Sequence, residues 1–262
     1  MLFLYGTVYN NSNRVLKCLD SLSKINTEKK FLIIDNYSTD GTYEILKEFL
    51  NVEIKRIKRS RGKGRQLAME LVRDEAGIDD IFMAFDLDTI YSPEFIKAIE
   101  WGVKNIDHNT VFISHLCYSD VNFKVPWKDL NNGEDWERLA HFCYLGFDVV
   151  KITFNYAENE EVKNKSRERR YAKGIAYLKR QWKNNIDLFV GWGINSLTKL
   201  REFVRFLAPK MSKKKLSLLF IFFSIVFLRV KLSKKTYSYS DSINRLYVDS
   251  KSKIINSEVI FR

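Results

Sequence analysis

Ile81-Phe82-Met83-Ala84-Phe85-Asp86-Leu87-Asp88-Thr89-Ile90-Tyr91 decides the fold. Five apolar residues in a row read as a strand buried on both faces. Two carboxylates follow one residue apart, and Ser92-Pro93-Glu94 then opens a helix. Such a strand belongs in a parallel sheet covered by helices, and open α/β sheets place their ligands at the C-terminal ends of such strands. Hard oxygen donors on a short loop suit Mg²⁺ or Mn²⁺, which keep waters and complete their shell from substrate phosphates. The pair therefore suggests a metal–diphosphate site, against the plainer reading of two acids on a solvated turn.

Working outward toward the N-terminus, the same alternation repeats. Residues 2–8 make a strand leading into Tyr9-Asn10, and Val15, Leu16, Leu19, Leu22 and Ile25 then fall on one helical face. Phe31 to Ile34 is a second buried strand, followed by a polar loop from Asp35 to Thr42 rich in capping and turn residues. Ile45, Leu46 and Phe49 mark a helix, Val52 to Ile57 a third strand, and Arg59 to Arg65 lead into a helix carrying Leu67, Ala68 and Leu71. Four strand–helix alternations predict a parallel, doubly wound sheet. Downstream, a helix with Phe95, Ile96 and Ile99 precedes a strand from Thr110 to Ser114. Gly133-Glu134-Asp135 then sits before the apolar positions Leu139, Phe142 and Cys143. Two acids at a helix start also complement the helix dipole, which is the bland account of them.

The net charge of +12 is unevenly distributed. Residues 1–150 hold 19 Lys and Arg against 23 Asp and Glu, whereas residues 151–262 hold 25 against 9. The asymmetry points to an anionic partner for the C-terminal part, either membrane phospholipid or nucleic acid. Tyr171, Tyr177 and Trp182 interleave with Arg and Lys there. Tyr171 and Trp182 nevertheless lie on the apolar stripe with Ile175 and Leu178, and no nucleic-acid fold signature accompanies them, so nucleic acid is set aside. A second basic amphipathic helix carries Leu197, Leu200, Phe203, Val204 and Leu207 before Pro209. The 13 uncharged residues from Leu216 to Leu228 have basic flanks. As a helix they reach about 20 Å against a hydrocarbon core of about 30 Å, which suits insertion into one leaflet, with a buried core helix as the alternative. Charge overtakes apolar content near Ala157 to Lys165, dividing the chain into residues 1–157 and a basic helical extension, residues 158–262. Leu2 to Tyr5 is too short an apolar run for a signal peptide, so the expected location is the cytosolic face of a membrane, peripheral or monotopic. Cys18, Cys117 and Cys143 are odd in number and widely spaced, implying neither a disulfide framework nor a zinc cluster.

Thr7-Val8-Tyr9-Asn10-Asn11, Ile33 to Thr42, Gly62-Lys63-Gly64-Arg65 with Ala68, Asp86-Leu87-Asp88 and Gly133-Glu134-Asp135 together resemble the successive motifs of family 2 glycosyltransferases of the GT-A fold. The likeness covers roughly the first 150 residues, in order and spacing. It implies a nucleotide-sugar-dependent, inverting hexosyltransferase-like enzyme with Mg²⁺ or Mn²⁺. Thr7 and Tyr9 would line the base, with Tyr9 as the stacking surface. Asp35 and Asn36 would contact the nucleotide; Asn36 stands where many relatives have a second aspartate that reads the base, and an amide donates as well as accepts. Arg65 would approach the base or the phosphates. Asp86 would contact the ribose or the metal's waters, Asp88 would ligate the metal, and Asp135 would be the general base with Glu134 beside it. The basic extension, rather than the resemblance, suggests an anionic membrane surface and with it a glycan or polyprenyl-linked acceptor.

The chemistry accounts for these residue types separately. Displacing a nucleoside diphosphate from an anomeric carbon builds negative charge on the leaving phosphate, which a divalent ion and an arginine stabilise. The incoming hydroxyl must lose a proton, which calls for a carboxylate. The opposing class is a catalytically inactive GT-A-like scaffold or carbohydrate-binding protein at the membrane. His115 and His141 read as structural histidines.

Overall fold

The computed structural model describes residues 1–150 together with Asp187, Thr198, Ser224, Ile225, Phe227 and Leu228. The four alternations form in the expected order: β1 (Leu2–Val8), α1 (Val15–Ser23), β2 (Lys29–Asp35), α2 (Thr42–Glu48), β3 (Val52–Arg56), α3 (Arg61–Glu70), β4 (Ile81–Ala84) and α4 (Pro93–Asn105). Then come β5 (Thr110–Val111), a 3-10 turn (Ile113–His115), β6 (Cys117–Tyr118), α5 (Ser119–Lys124), α6 (Glu134–Tyr144) and β7 (Asp148–Val149).

The main sheet runs β3-β2-β1-β4-β6, parallel except for β6, which lies antiparallel to β4. From β1 the chain winds outward to β3 and then crosses back to β4 on β1's other side. The order therefore reverses between β1 and β4, which is the crevice where a doubly wound sheet receives its ligand. The Tyr9–Asn11 and Asp86–Asp88 loops border it.

Alternate residues of each strand serve opposite faces. Leu4, Ile33 and Met83 pack with Leu19 and Leu22 of α1 and Phe95 and Ile99 of α4. Phe3, Tyr5, Leu32, Ile34 and Phe82 pack on Ala68, Met69 and Val72 beside Trp127. Ser92 caps α4 by accepting from Phe95 N at 3.3 Å, with Pro93 in the first turn, where its missing N–H is harmless. Gly62 and Gly64 let α3 approach closely. A Cβ on Gly62 would meet Lys128 O at 2.0 Å, and one on Gly64 would meet Thr7 Cγ2 at 2.4 Å.

The expected strand from Thr110 to Ser114 is shorter than its apolar run. β5 ends at Val111 and pairs with β7 in a second, two-stranded parallel sheet. Ser114 and His115, with φ of 54° and 58°, then turn the chain back into β6. Nothing in the composition of that run signals a left-handed turn, because neither residue is glycine.

Among the described residues no helix is long and apolar enough to cross a membrane. The boundary at residue 157, the two basic amphipathic helices and most of Leu216 to Leu228 lie outside the described residues.

Candidate active site

Gly64, in the first turn of α3, lets the helix settle against Thr7, and Arg65 follows it with its side chain buried. Its guanidinium is buried, and Nη2 donates to Asp86 Oδ1 at 2.7 Å. Nη1 donates to Glu134 Oε1 at 3.1 Å and also to Asp135 Oδ1. The Trp127 ring lies 4.8 Å from the guanidinium carbon. Arg61, one turn earlier, adds a second cation 3.4 Å from Glu134. One arginine thus ties together carboxylates from the loop after β4 and from the start of α6.

The three acids differ in what they show to solvent. The side chains of Asp86 and Asp135 are 56% and 43% exposed, whereas that of Glu134 is 1% exposed. Burial alone would lower the pKa of Arg65, but the carboxylates of Asp135, Asp86 and Glu134 outweigh it and hold the cation firmly charged. Glu134 moves upward, first through burial and then through the neighbouring Asp135 charge, with Arg65 and Arg61 opposing. Asp86 and Asp135 therefore form the open edge of the cluster and Glu134 its sealed base.

The Asp86–Asp88 loop is fixed through its backbone. Asp86 N donates to Tyr91 Oη at 2.9 Å, Asn11 Nδ2 donates to Leu87 O at 2.6 Å and Arg14 Nη1 donates to Asp88 O at 3.3 Å. Side chains from the β1–α1 connection thereby set the loop from which the carboxylates project.

On the β2 side, Asp35 is fully buried. Its carboxylate accepts from Ser38 N at 3.2 and 3.1 Å and from Arg56 Nε at 2.9 Å, so in this structure it braces the loop after β2. Asn36 Oδ1 accepts from Arg59 N at 3.0 Å. Tyr9 is 40% exposed, and Thr7 is half-buried against Gly64. Thr7 and Tyr9 thus stand at the C-terminal end of β1 and Asp35 and Asn36 at that of β2, with α3 and Arg65 packed against Thr7 through Gly64.

Sequence reasoning overlooked the support for α6. Arg138, fully buried, donates to Val125 O at 2.9 Å, to Tyr5 Oη at 2.6 Å, and to Asn122 O and Oδ1 at 2.7 and 2.8 Å. Trp127 Nε1 also donates to Tyr5 Oη at 3.1 Å, and the Trp127 ring meets the Arg138 guanidinium at 4.6 Å. These partners lie up to 133 residues apart in the chain, and no local pattern signals them. Asn11, by contrast, lies inside the Thr7–Asn11 motif.

Glu137, one turn into α6, is buried with neither carboxylate oxygen hydrogen-bonded. Burial pushes its carboxyl up to about 7, with Lys128 and Arg138 only partly opposing. A carboxyl whose folded pKa is raised binds more protons in the folded state, so its contribution to stability falls as pH rises from about 4.5 to about 7. Glu137→Gln is therefore expected to stabilise the protein by about 2–4 kcal/mol at pH 8 and to change little at pH 4.5. Urea titrations at the two pH values measure this, and an equal effect at both would contradict it.

Comparison with known proteins shows the family and the fold. Glycosyl transferase family 2 matches residues 7–197, which is most of the chain. The chain belongs to that family, and its mixed α/β, mostly parallel sheet is of the GT-A type. No curated protein matches it. Among solved structures, S. aureus TarS residues 1–349 align over 96% of this chain and 87% of that one, with 12% identity and a TM-score of 0.50. The mannosyltransferase PcManGT from Pyrobaculum calidifontis, in complex with GDP-Man and Mn²⁺, aligns over 95% and 86%, with 11% identity and a TM-score of 0.52. At such identities these likenesses show the fold. The chain covers 36% of the longer TarS structure.

Proposed function

We propose that the protein transfers a sugar from a nucleotide-sugar donor to an acceptor hydroxyl by a single inverting displacement. The observation that carries this reading is the juxtaposition, beside the strand-order reversal, of Arg65 with the exposed carboxylates of Asp86 and Asp135. The exposed Tyr9 ring offers a stacking surface for the base, with Thr7 and Asn36 beside it and Asp35 holding the loop in place. Arg65 would share its charge with the donor's phosphates.

Asp86 and Asp88 fit a divalent ion in type, since both are hard oxygen donors. Among the described residues no group of three or more His, Cys, Asp or Glu forms a ready-made metal site, so these two carboxylates would hold Mg²⁺ or Mn²⁺ together with the diphosphate. When bound, such an ion neutralises charge on the leaving phosphate. The Mn²⁺ and GDP-Man in the similarly folded mannosyltransferase support this reading. Asp135 takes the acceptor's proton as the new bond to the anomeric carbon forms. The bond from that carbon to the phosphate oxygen breaks, and the nucleoside diphosphate leaves with the electron pair. Glu134, 1% exposed and paired with Arg65 and Arg61, is the less accessible of the two carboxylates.

Asp88→Ala is expected to abolish the Mn²⁺ dependence of nucleotide binding. Calorimetry with UDP and with GDP, each with and without Mn²⁺, tests it, and unchanged metal dependence in the mutant would place the ion elsewhere.

The acceptor is a glycan or polyprenyl-linked sugar at an anionic membrane surface. The +16 net charge of residues 151–262 supports this, each basic residue near such a surface adding about 1 kcal/mol. The full chain is expected to float with anionic liposomes at low salt and to be partly released at high salt. Protein that stays in the soluble fraction at low salt would contradict it.

A further inference from the structure

We infer that His115 is a positioning residue for the turn that presents Asp135. The inference rests on the reading of Asp135 as the base. α6 starts from Gly133, whose φ is 76° and which offers no side chain to cap the helix. A first turn without a cap loses the bonds that would fix its N–H groups, so the turn is held only by contacts made from outside it. Arg65 and Arg61 hold the side chains there, and a separate contact holds the backbone: His115 Nε2 lies 3.3 Å from Asp135 O.

The contact is reached through a strained turn. Ser114 and His115 are consecutive non-glycine residues in the left-handed region, each costing on the order of 1–2 kcal/mol. Two backbone bonds close the turn, Leu116 N to Ile113 O at 3.1 Å and Phe112 N to Leu116 O at 2.8 Å, and β6 then pairs with β4. This geometry turns the His115 ring inward, 4.7 Å from Trp127, where it is buried.

A carbonyl only accepts, so Nε2 carries the hydrogen. Burial, reinforced by the guanidiniums of Arg138 and Arg65, holds the ring's pKa well below that of an ordinary histidine, against the opposing bond to Asp135. The imidazole is thus a neutral donor with a fixed tautomer. It connects the turn before β6 to the backbone of the residue that takes the proton. Misplacement of a reacting group by 1 Å can cost about 10²-fold in rate, so a smaller drift of this turn has a measurable effect.

His115→Phe keeps a ring against Trp127 and removes the N–H, whereas His115→Gln keeps a donor near the Nε2 position. The assay is turnover of the best substrate in a panel of UDP-, GDP- and dTDP-linked hexoses, together with amide exchange across residues 137–140, the first amides with helical acceptors. The expected result is a kcat about tenfold lower in His115→Phe with donor KM within about twofold, return to within about threefold in His115→Gln, and faster exchange at the start of α6 in the Phe variant alone. If the Phe variant does not fold, His115→Asn, whose amide is too short to reach Asp135 O, takes its place in the contrast with Gln. Exchange is measured without any donor, and unchanged protection in the variant lacking the N–H overturns the inference. So does a Gln variant as impaired as Phe. Asp135→Asn runs alongside: if it stays active the base assignment fails, whereas if it is inactive and His115→Phe is normal, only the role of His115 fails.

Discussion

Asp135→Asn is expected to lower turnover by about 10²–10⁴, the usual worth of a general base, while donor affinity stays within a few-fold. The substitution is nearly isosteric, and the amide oxygen can still accept from Arg65, so the cluster around Asp86 and Glu134 should persist. What disappears is a carboxylate that can hold a proton. Glu134, at 1% exposure and already paired with Arg65 and Arg61, is in no position to replace it. The loss should therefore fall on kcat with donor KM little changed, which steady-state kinetics separates. A damaging Glu134→Gln beside a nearly silent Asp135→Asn would move the base to Glu134 and require an opening of the crevice.

Arg65→Met is expected to destabilise the protein by about 3–5 kcal/mol, the usual result of removing one partner of a buried ion pair. Asp86 and Asp135 can turn to solvent, but Glu134 would keep only Arg61, at 3.4 Å and partly exposed. Glu134 already has a raised pKa in the intact cluster, and without Arg65 it rises further. A raised carboxyl costs stability as pH increases, so the deficit of Arg65→Met should be smaller at pH 5 than at pH 8. Arg65→Lys should recover only part of the loss, because one ammonium cannot match a guanidinium that reaches three carboxylates on two elements. Guanidinium denaturation at both pH values measures these differences. A pH-independent deficit would mean that Glu134 does not carry it.

The parallel half of the fold was legible because its signal is local. Leu2–Val8, Lys29–Asp35 and Ile81–Ala84 are short runs sealed on both faces, and Ser92-Pro93 announces a helix by capping chemistry alone. The turn at Ser114–His115 was not legible. Its left-handed backbone is held by β6 pairing with β4 and by closure across Phe112 and Leu116, contacts that no periodic pattern announces.

The site divides in the same way. Asp86, Asp88 and Asp135 stood at element ends where chemistry is visible in one dimension. Arg65 was recognisable as a cation near a phosphate site, but its partners lie 21, 69 and 70 residues away and its burial depends on glycines that draw α3 inward. Asp35 shows the same division. Its place in a motif was visible in the sequence, whereas the bonds of its carboxylate to Ser38 and Arg56, the latter 21 residues away, were not.

The most direct test of the central claim is nucleoside diphosphate release from a panel of UDP-, GDP- and dTDP-linked sugars by the full chain, with Mn²⁺ and with chelator, beside Asp135→Asn. The account predicts release from at least one donor that depends on the divalent ion and falls by about 10²–10⁴ in the mutant. Tight donor binding without release, equal in wild type and mutant, would contradict it and make the crevice a binding site alone.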